Sequence, residues 1–164
     1  KKLEARLLTA AERHGEQLGV HIGYDESLAH WIEAGADLFL MPSRFEPCGL
    51  NQIYSLRYGT LPVVRSTGGL ADTVTDADQS TLQQKTATGF VFEKATSAAL
   101  ISALERALQL FGDRRLWEQM MLTAMAQDLS WERSAARYIA LYEAATAERP
   151  AKPMSDAPRR SPAL

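Results

Sequence analysis

The densest group of chemically capable residues runs from Arg44 to Gly49 in the order Arg, Phe, Glu, Pro, Cys, Gly. An apolar run typical of a strand precedes it and a segment with helical spacing follows it, so the group occupies a strand-to-helix loop. The first N–H groups of the helix, here those of Leu50 and Asn51, have no intrahelical partner and carry the positive end of the helix dipole. We therefore predict an anion site at Leu50 and Asn51, where Gly49 allows a ligand to approach the backbone closely.

Glu46 stands beside this anion site and Arg44 adds a cation to it, so we include both among the candidate site residues. A carboxylate there is suited to hydrogen bonding with sugar hydroxyls, or to stabilising the positive charge that develops during glycosyl transfer. A structural interpretation is also open, in which Glu46 pairs with Arg44 or caps the helix. Cys48 is better explained as a loop residue that shapes the site through its backbone than as a nucleophile, because all three histidines lie upstream of it. Those histidines form no metal-binding spacing, and we predict neither a metal nor a cofactor.

Tyr24 is an aromatic residue that directly follows Gly23. A ring exposed at the end of a strand can lie flat on a nucleobase, and the predicted strand over residues 20–22 places Tyr24 in that position. Ordinary packing of the tyrosine on a loop explains the same spacing, so both interpretations stay open.

A second glycine-rich turn contains Thr67, Gly68 and Gly69 and follows another apolar run. It is similar to a phosphate-binding turn, although it matches neither of the two common glycine-rich fingerprints. Arg65, just before it, either supplies local positive charge or forms a surface ion pair.

These loops are positioned by strands that alternate with helices. We predict strands at residues 20–22, 36–42, 61–64 and 90–92, and helices at 3–14, 26–35, 50–58, 70–74, 100–111, about 116–121 and 131–147. Strands 36–42 and 61–64 have unbroken apolar centres, which is typical of strands covered on both faces. The polar connection over residues 75–85 is predicted to be mobile. The alternation implies right-handed crossovers and an α/β fold with a parallel, doubly wound, Rossmann-like sheet, whose ligands bind at the carboxyl ends of the strands.

Composition excludes several classes of protein. The chain has 164 residues and a net charge of −2, from 18 Lys+Arg against 20 Asp+Glu, so it lacks the basic excess that nucleic-acid binding requires. It has no apolar run of about 18 residues to span a membrane. A single cysteine and no secretory signal favour a cytoplasmic protein. Four of the seven prolines fall in the last 15 residues, which predicts a disordered tail at 148–164 after one domain at 1–147.

Residues 41–50 and 58–74 together resemble the bacterial glycogen synthases and plant starch synthases, which are ADP-glucose-dependent α-1,4-glucan glucosyltransferases. The resemblance extends upstream through residues 22–26 and downstream through 88–92 to the closing helix, so it covers residues 20–147. It implies a GT-B enzyme with two Rossmann-like domains facing across a cleft. This chain would be the C-terminal, nucleotide-sugar-binding domain, incomplete at its N-terminus, and its start at Lys1 without a methionine is consistent with a piece of a longer protein.

The resemblance also implies a role for each matching residue. In this family the glutamate matching Glu46 is catalytic and contacts the donor glucose. The other implied donor contacts are Cys48 and Gly49 for the sugar, Tyr24 with Gly23 beside it for adenine, and Leu50 and Asn51 for the diphosphate. Asn51 stands where the family more often has threonine. Tyr54 replaces the second glutamate of the wider superfamily, as it does in glycogen synthases, and this argues against branches that use UDP-sugars.

The implied reaction transfers glucose from ADP-glucose to the non-reducing end of an α-1,4-glucan with retention of configuration. The family's lysine-glycine-glycine loop and its upstream arginine/lysine pair are not in this sequence, so we expect the chain alone to transfer no glucose. Its implied partners are the donor, the glucan acceptor and the missing N-terminal domain, with no nucleic acid and no membrane. Two alternatives remain open: another retaining GT-B enzyme with a different nucleotide sugar, and a non-catalytic nucleotide-binding module.

Overall fold

Three parallel strands organise the chain in the computed structural model, which describes residues 2–147. They are β1 (Leu38–Met41), β2 (Leu61–Arg65) and β3 (Phe90–Phe92), arranged in the order β1-β2-β3. Leu38 lies opposite Leu61, and Val63 lies opposite Phe90. The predicted α/β fold with a parallel sheet is therefore confirmed.

Helices connect and flank the strands. They are α1 (Lys2–Arg13), α2 (Glu26–Gly35), α3 (Asn51–Tyr58), α4 (Gly69–Thr73), α5 (Gln79–Gln84), α6 (Ser97–Phe111), α7 (Arg114–Met125) and α8 (Trp131–Ala147). Local sequence explains several of their ends. Asp25 caps α2, because its side chain accepts a hydrogen bond from the Leu28 N–H at 2.9 Å. Gly59 ends α3 with a positive φ of 81°, a conformation in which glycine carries no Cβ penalty.

The chain divides into two units, residues 1–127 and residues 128–164. The first unit contains the sheet and helices α1 to α7, and the second contains α8. In the second unit the Asp128 side chain accepts a hydrogen bond from the Ser130 N–H at 3.1 Å, and bonds with Ser130 hold the pKa of Asp128 below its usual value. The domain predicted to end at residue 147 stays a prediction, and the predicted disordered tail at 148–164 lies outside the described residues.

The core of the first unit lies on both faces of β2, whose residues from Leu61 to Val64 are buried. On one face Val63 belongs to a large cluster that also contains Phe90 and Trp117, whose rings stack with centroids 6.1 Å apart. On the other face Val64 packs in a smaller cluster with Leu70 and Val74. Successive strand residues point to opposite faces, so the apolar run at 61–64 predicted this double coverage correctly.

Two strand predictions are wrong. Residues 20–22 form no strand, and β1 is not covered on both faces, since Leu40 is 46% exposed. Backbone pairing stabilises a strand, and residues 20–22 pair with no strand in the described part of the chain. β1 lies at the edge of the described sheet, and its outer edge is unpaired within residues 2–147.

The connection over residues 75–85, predicted to be mobile, is structured instead. It contains α5, which begins with a capping box in which Asp78 and Thr81 exchange side-chain-to-backbone hydrogen bonds. Those bonds lower the pKa of Asp78. Just before the helix, the Asp76 carboxylate accepts two hydrogen bonds from Arg106 of α6, each 3.0 Å long. The polar residues of this segment form the helix cap and the hydrogen bonds with Arg106, so the segment is ordered rather than flexible.

Candidate functional site

Two loops meet at the carboxyl edge of the sheet. We call residues 42–50 the β1–α3 loop and residues 66–68 the β2–α4 turn. The Gly69 N–H donates to the Pro47 carbonyl at 3.3 Å. A Cβ built on Gly69 would lie 2.6 Å from the Cys48 Cα, and one built on Gly68, whose φ is +46°, would collide with the Glu46 carbonyl oxygen. The backbones touch where only glycine fits, so the structure brings these two predicted segments together.

Gln52 is buried in the first turn of α3 and anchors the β1–α3 loop by hydrogen bonds. Its Nε2 lies 3.0 Å from the Cys48 carbonyl oxygen, 3.0 Å from the Gly49 carbonyl oxygen and 3.2 Å from the Thr73 Oγ1. The Thr73 hydroxyl in turn donates to the Gly69 carbonyl at 2.6 Å. A closed circuit of hydrogen bonds therefore joins the β1–α3 loop, α3 and α4.

Sequence reasoning missed Gln52. The buried residues of α3 are Gln52, Ser55 and Leu56, spaced as one face of a helix. A glutamine on a core-facing position is unusual unless its amide has partners, but two of these three residues are polar, so only the structure reveals that this face is buried.

Arg65, the last residue of β2, links three segments at the same edge. Its Nε donates to the Ser43 carbonyl at 2.7 Å, one terminal nitrogen donates to the Arg44 carbonyl, and the other donates to the Glu93 carbonyl at 3.4 Å. Of the two interpretations of Arg65, the surface ion pair is wrong, because no carboxylate in the described part of the chain pairs with it. Its guanidinium instead brings a positive charge to the carboxyl edge while it holds backbone in place.

The half-buried Glu46 side chain has neither of the structural partners considered for it. Across residues 2–147 its carboxylate makes no hydrogen bond and no ion pair, and no side chain caps α3 at its N-cap residue, Leu50. Pairing with Arg44 and capping of α3 are both wrong. Cys48 is exposed in the same loop. The carboxylate is available to a ligand that approaches the loop.

The start of α3, at the end of the same loop, has unpaired N–H groups. Leu50 and Asn51 are exposed, and no acceptor among the described residues takes a hydrogen bond from their N–H groups. With the dipole of α3 behind them, these groups form an arrangement that stabilises an anion. Arg44, also exposed, adds its charge nearby.

Gly23 and Tyr24 lie in the segment before α2, and the structure does not join them to the two loops. Tyr24 is 92% exposed, and within the described residues its ring makes no aromatic contact and its hydroxyl no hydrogen bond. The histidines also have no catalytic arrangement. His30 packs near Tyr54 and Tyr58, with ring centroids 5.6 and 6.2 Å away. Residues 2–147 contain no group of three metal-ligating side chains that could hold an ion.

Comparison with known proteins places this arrangement in a family. The family of glycosyl transferases group 1 matches residues 3–119, which is more than half of the chain. The chain belongs to this glycosyl transferase family. No helix in the described part of this glycosyl transferase chain is both long and apolar enough to cross a membrane.

Individual proteins similar to this chain support its membership of the family. A glycogen synthase of Thioalkalivibrio sulfidiphilus is 60% identical over 141 residues, which are 86% of this chain and 29% of the relative. The catalytic domain of starch synthase IV from Arabidopsis thaliana, solved bound to ADP and acarbose, superposes with a TM-score of 0.75 and 38% identity, covering 87% of this chain and 30% of that one. The resemblance to glycogen and starch synthases is confirmed, and the chain spans under a third of the length of these relatives.

A more distant structure shares the fold. A sucrose-phosphate synthase from Thermosynechococcus elongatus superposes with a TM-score of 0.58 at 23% identity, covering 88% of this chain and 35% of that one. The parallel α/β architecture thus recurs at low identity, as expected when burial pattern and strand-to-helix topology rather than particular side chains define a fold.

Proposed function

We propose that the full-length protein containing this chain is a glycogen or starch synthase. It would transfer glucose from ADP-glucose to the non-reducing end of an α-1,4-glucan, with retention at the anomeric carbon. The observation that carries the proposal is the unpaired Glu46 carboxylate beside the exposed start of α3, in a chain 60% identical to a glycogen synthase. The neighbour solved with ADP and acarbose supports a nucleotide-sugar donor and a glucan acceptor.

The proposed roles follow from the chemistry of each group. The diphosphate of the donor would lie at the N–H groups of Leu50 and Asn51, which stabilise the negative charge that grows on the leaving group. Glu46 would contact the donor glucose and stabilise positive charge at the anomeric carbon. Arg44 and the turn at residues 67–69 would border the phosphates, while the exposed ring of Tyr24 would stack on adenine once the nucleotide brings the two together.

The remaining components of the enzyme are proposed to lie outside this chain. A helix N-terminus contributes about 0.3–2 kcal/mol to anion binding, and an aromatic stack contributes about 1–3 kcal/mol per base. Their sum barely offsets the entropy lost on association. We therefore propose that an N-terminal domain of the same protein completes the donor and acceptor sites in the cytoplasm, and that the isolated chain transfers no glucose.

Substitution of Glu46 in the full-length protein tests this function. Glu46→Ala should reduce glucose transfer from ADP-glucose into glycogen by several orders of magnitude with little change in thermal unfolding. Glu118→Gln, which removes an exposed carboxylate on α7, is the matched control and should keep wild-type activity. Full activity of Glu46→Ala would refute the catalytic role. A donor screen with ADP-, UDP- and GDP-glucose identifies another branch if ADP-glucose is not preferred, and no transfer from any donor would indicate a binding module.

A further inference from the structure

We infer that Gln52 is a positioning residue that fixes the orientation of two backbone N–H groups, those of Gly49 and Leu50, in the donor site. The inference rests on the proposed function, which places the donor diphosphate at the start of α3. The Gln52 side chain is fully buried and so out of reach of a ligand at the surface, and its effect passes through the backbone of the β1–α3 loop.

The orientation of the Gln52 amide is set by its neighbours. Two carbonyl oxygens, those of Cys48 and Gly49, each lie 3.0 Å from the same amide atom. Carbonyl oxygens only accept hydrogen bonds, so that atom has to be the donor nitrogen. The Gln52 Oε1 is then buried without a hydrogen-bond partner among the described residues. An unpaired buried oxygen is unfavourable, and an apolar side chain of similar length would avoid it, so core stability alone does not account for a glutamine here.

Peptide geometry carries the effect of Gln52 to the opposite side of the loop. None of the described peptide bonds is cis. In a planar trans peptide the C=O and the N–H that follows it point in opposite directions. Because Gln52 draws the Cys48 carbonyl inward, the Gly49 N–H points outward, and because it draws the Gly49 carbonyl inward, the Leu50 N–H points outward. No acceptor within residues 2–147 takes either N–H.

The rest of the circuit keeps Gln52 in place. Its Nε2 also lies 3.2 Å from the Thr73 Oγ1, and Thr73 is tied to Gly69, whose N–H holds the Pro47 carbonyl. Gly49 has a φ of +72°, and a Cβ there would overlap the Gln52 amide. The loop therefore packs directly against the Gln52 side chain. Loss of the amide would free the two adjacent peptides that follow Cys48 and Gly49 to rotate.

The consequence for the reaction is specific to the donor. Rotation of these peptides would remove the hydrogen bond from the Leu50 N–H to the leaving diphosphate, and loss of one such preorganised donor typically costs roughly 10²-fold to 10³-fold in rate. We expect Gln52→Met in the full-length protein to raise the KM for ADP-glucose and to lower kcat, with a fall of about 10²-fold in kcat/KM for the donor. The KM for glycogen should change less than about twofold, because the proposed function assigns these N–H groups to the donor.

Ser55→Ala is the matched control. Ser55 is equally buried on the same face of α3, and its hydroxyl donates to the Gln52 carbonyl inside the helix at 3.0 Å and makes no hydrogen bond with the loop. It should leave both KM values unchanged. Calorimetric titration of ADP into each full-length variant provides a readout that does not depend on turnover, and Gln52→Met should bind ADP more weakly than wild type and Ser55→Ala.

Gln52→Glu adds a pH signature. A buried carboxyl that faces two carbonyl oxygens is favoured in its protonated form, which still donates one hydrogen bond. The kcat/KM of Gln52→Glu for the donor, divided by the wild-type value, should therefore rise as the pH falls from 8 to 6. The same quotient for Gln52→Met should stay constant.

The inference is overturned if Gln52→Met lowers activity only in proportion to the folded fraction, with the donor KM and ADP affinity unchanged. That result would assign Gln52 to stability alone. If the wild-type protein binds ADP but transfers no sugar, the proposed function fails by itself, and the ADP titration still decides whether Gln52 positions the N–H groups.

Discussion

Gly69→Ala tests directly whether contact between the two loops positions the proposed catalytic carboxylate. A Cβ on residue 69 would lie 2.6 Å from the Cys48 Cα and closer still to its carbonyl oxygen, whereas ordinary van der Waals contact begins at 3.4 Å. The backbones would have to separate by about 1 Å, and such a misplacement costs roughly 10²-fold in rate when it reaches reacting groups. Glu46 is only two residues from Cys48, so the displacement should reach it.

The assay compares initial rates of glucose transfer from ADP-glucose into glycogen, together with thermal unfolding, for full-length wild type and variants. We expect Gly69→Ala to lower kcat by roughly 10²-fold and to destabilise the protein by about 1–3 kcal/mol, as overpacking does. Gly35→Ala is the control, because a Cβ there meets nothing within 4 Å and the φ of Gly35 is ordinary. The reasoning is refuted if folded Gly69→Ala turns over as fast as Gly35→Ala.

Two other side chains give predictions about stability. Burial raises the pKa of Glu33, which is 2% exposed, and His30 at 3.8 Å offsets the rise only in part. A carboxyl whose pKa is raised in the folded state stabilises the protein below about pH 4.5, and this stability is lost as the pH rises. Glu33→Gln should therefore raise the melting temperature at pH 8 but not at pH 4. A larger gain at pH 4 than at pH 8 would contradict the prediction. The Asp76 carboxylate pairs with Arg106 and also accepts from the Val91 N–H at 2.6 Å. Asp76→Ala should therefore cost about 1–3 kcal/mol in urea denaturation, and a loss below about 0.5 kcal/mol, the usual range for a surface substitution, would contradict it.

Much of the fold was predictable from local chemistry. The apolar run of β2, the Asp25 cap of α2 and the Gly59 stop of α3 each express a preference of a few neighbouring residues, and all three are present in the structure. Errors arose where the outcome depended on a distant partner. Residues 20–22 pair with no described strand, and the polar connection at 75–85 is ordered partly through Arg106 on α6.

The sequence by itself determined the family resemblance, the alternation of strands and helices, and the position of Glu46 in a loop before α3. Only the tertiary structure decided that Gln52 and Arg65 hold this loop, and that Gly69 touches Cys48. The physical reason is that these partners are backbone carbonyls and Cα atoms. Every residue has them, so no residue type in the sequence marks which ones meet, and only the folded path of the chain selects them.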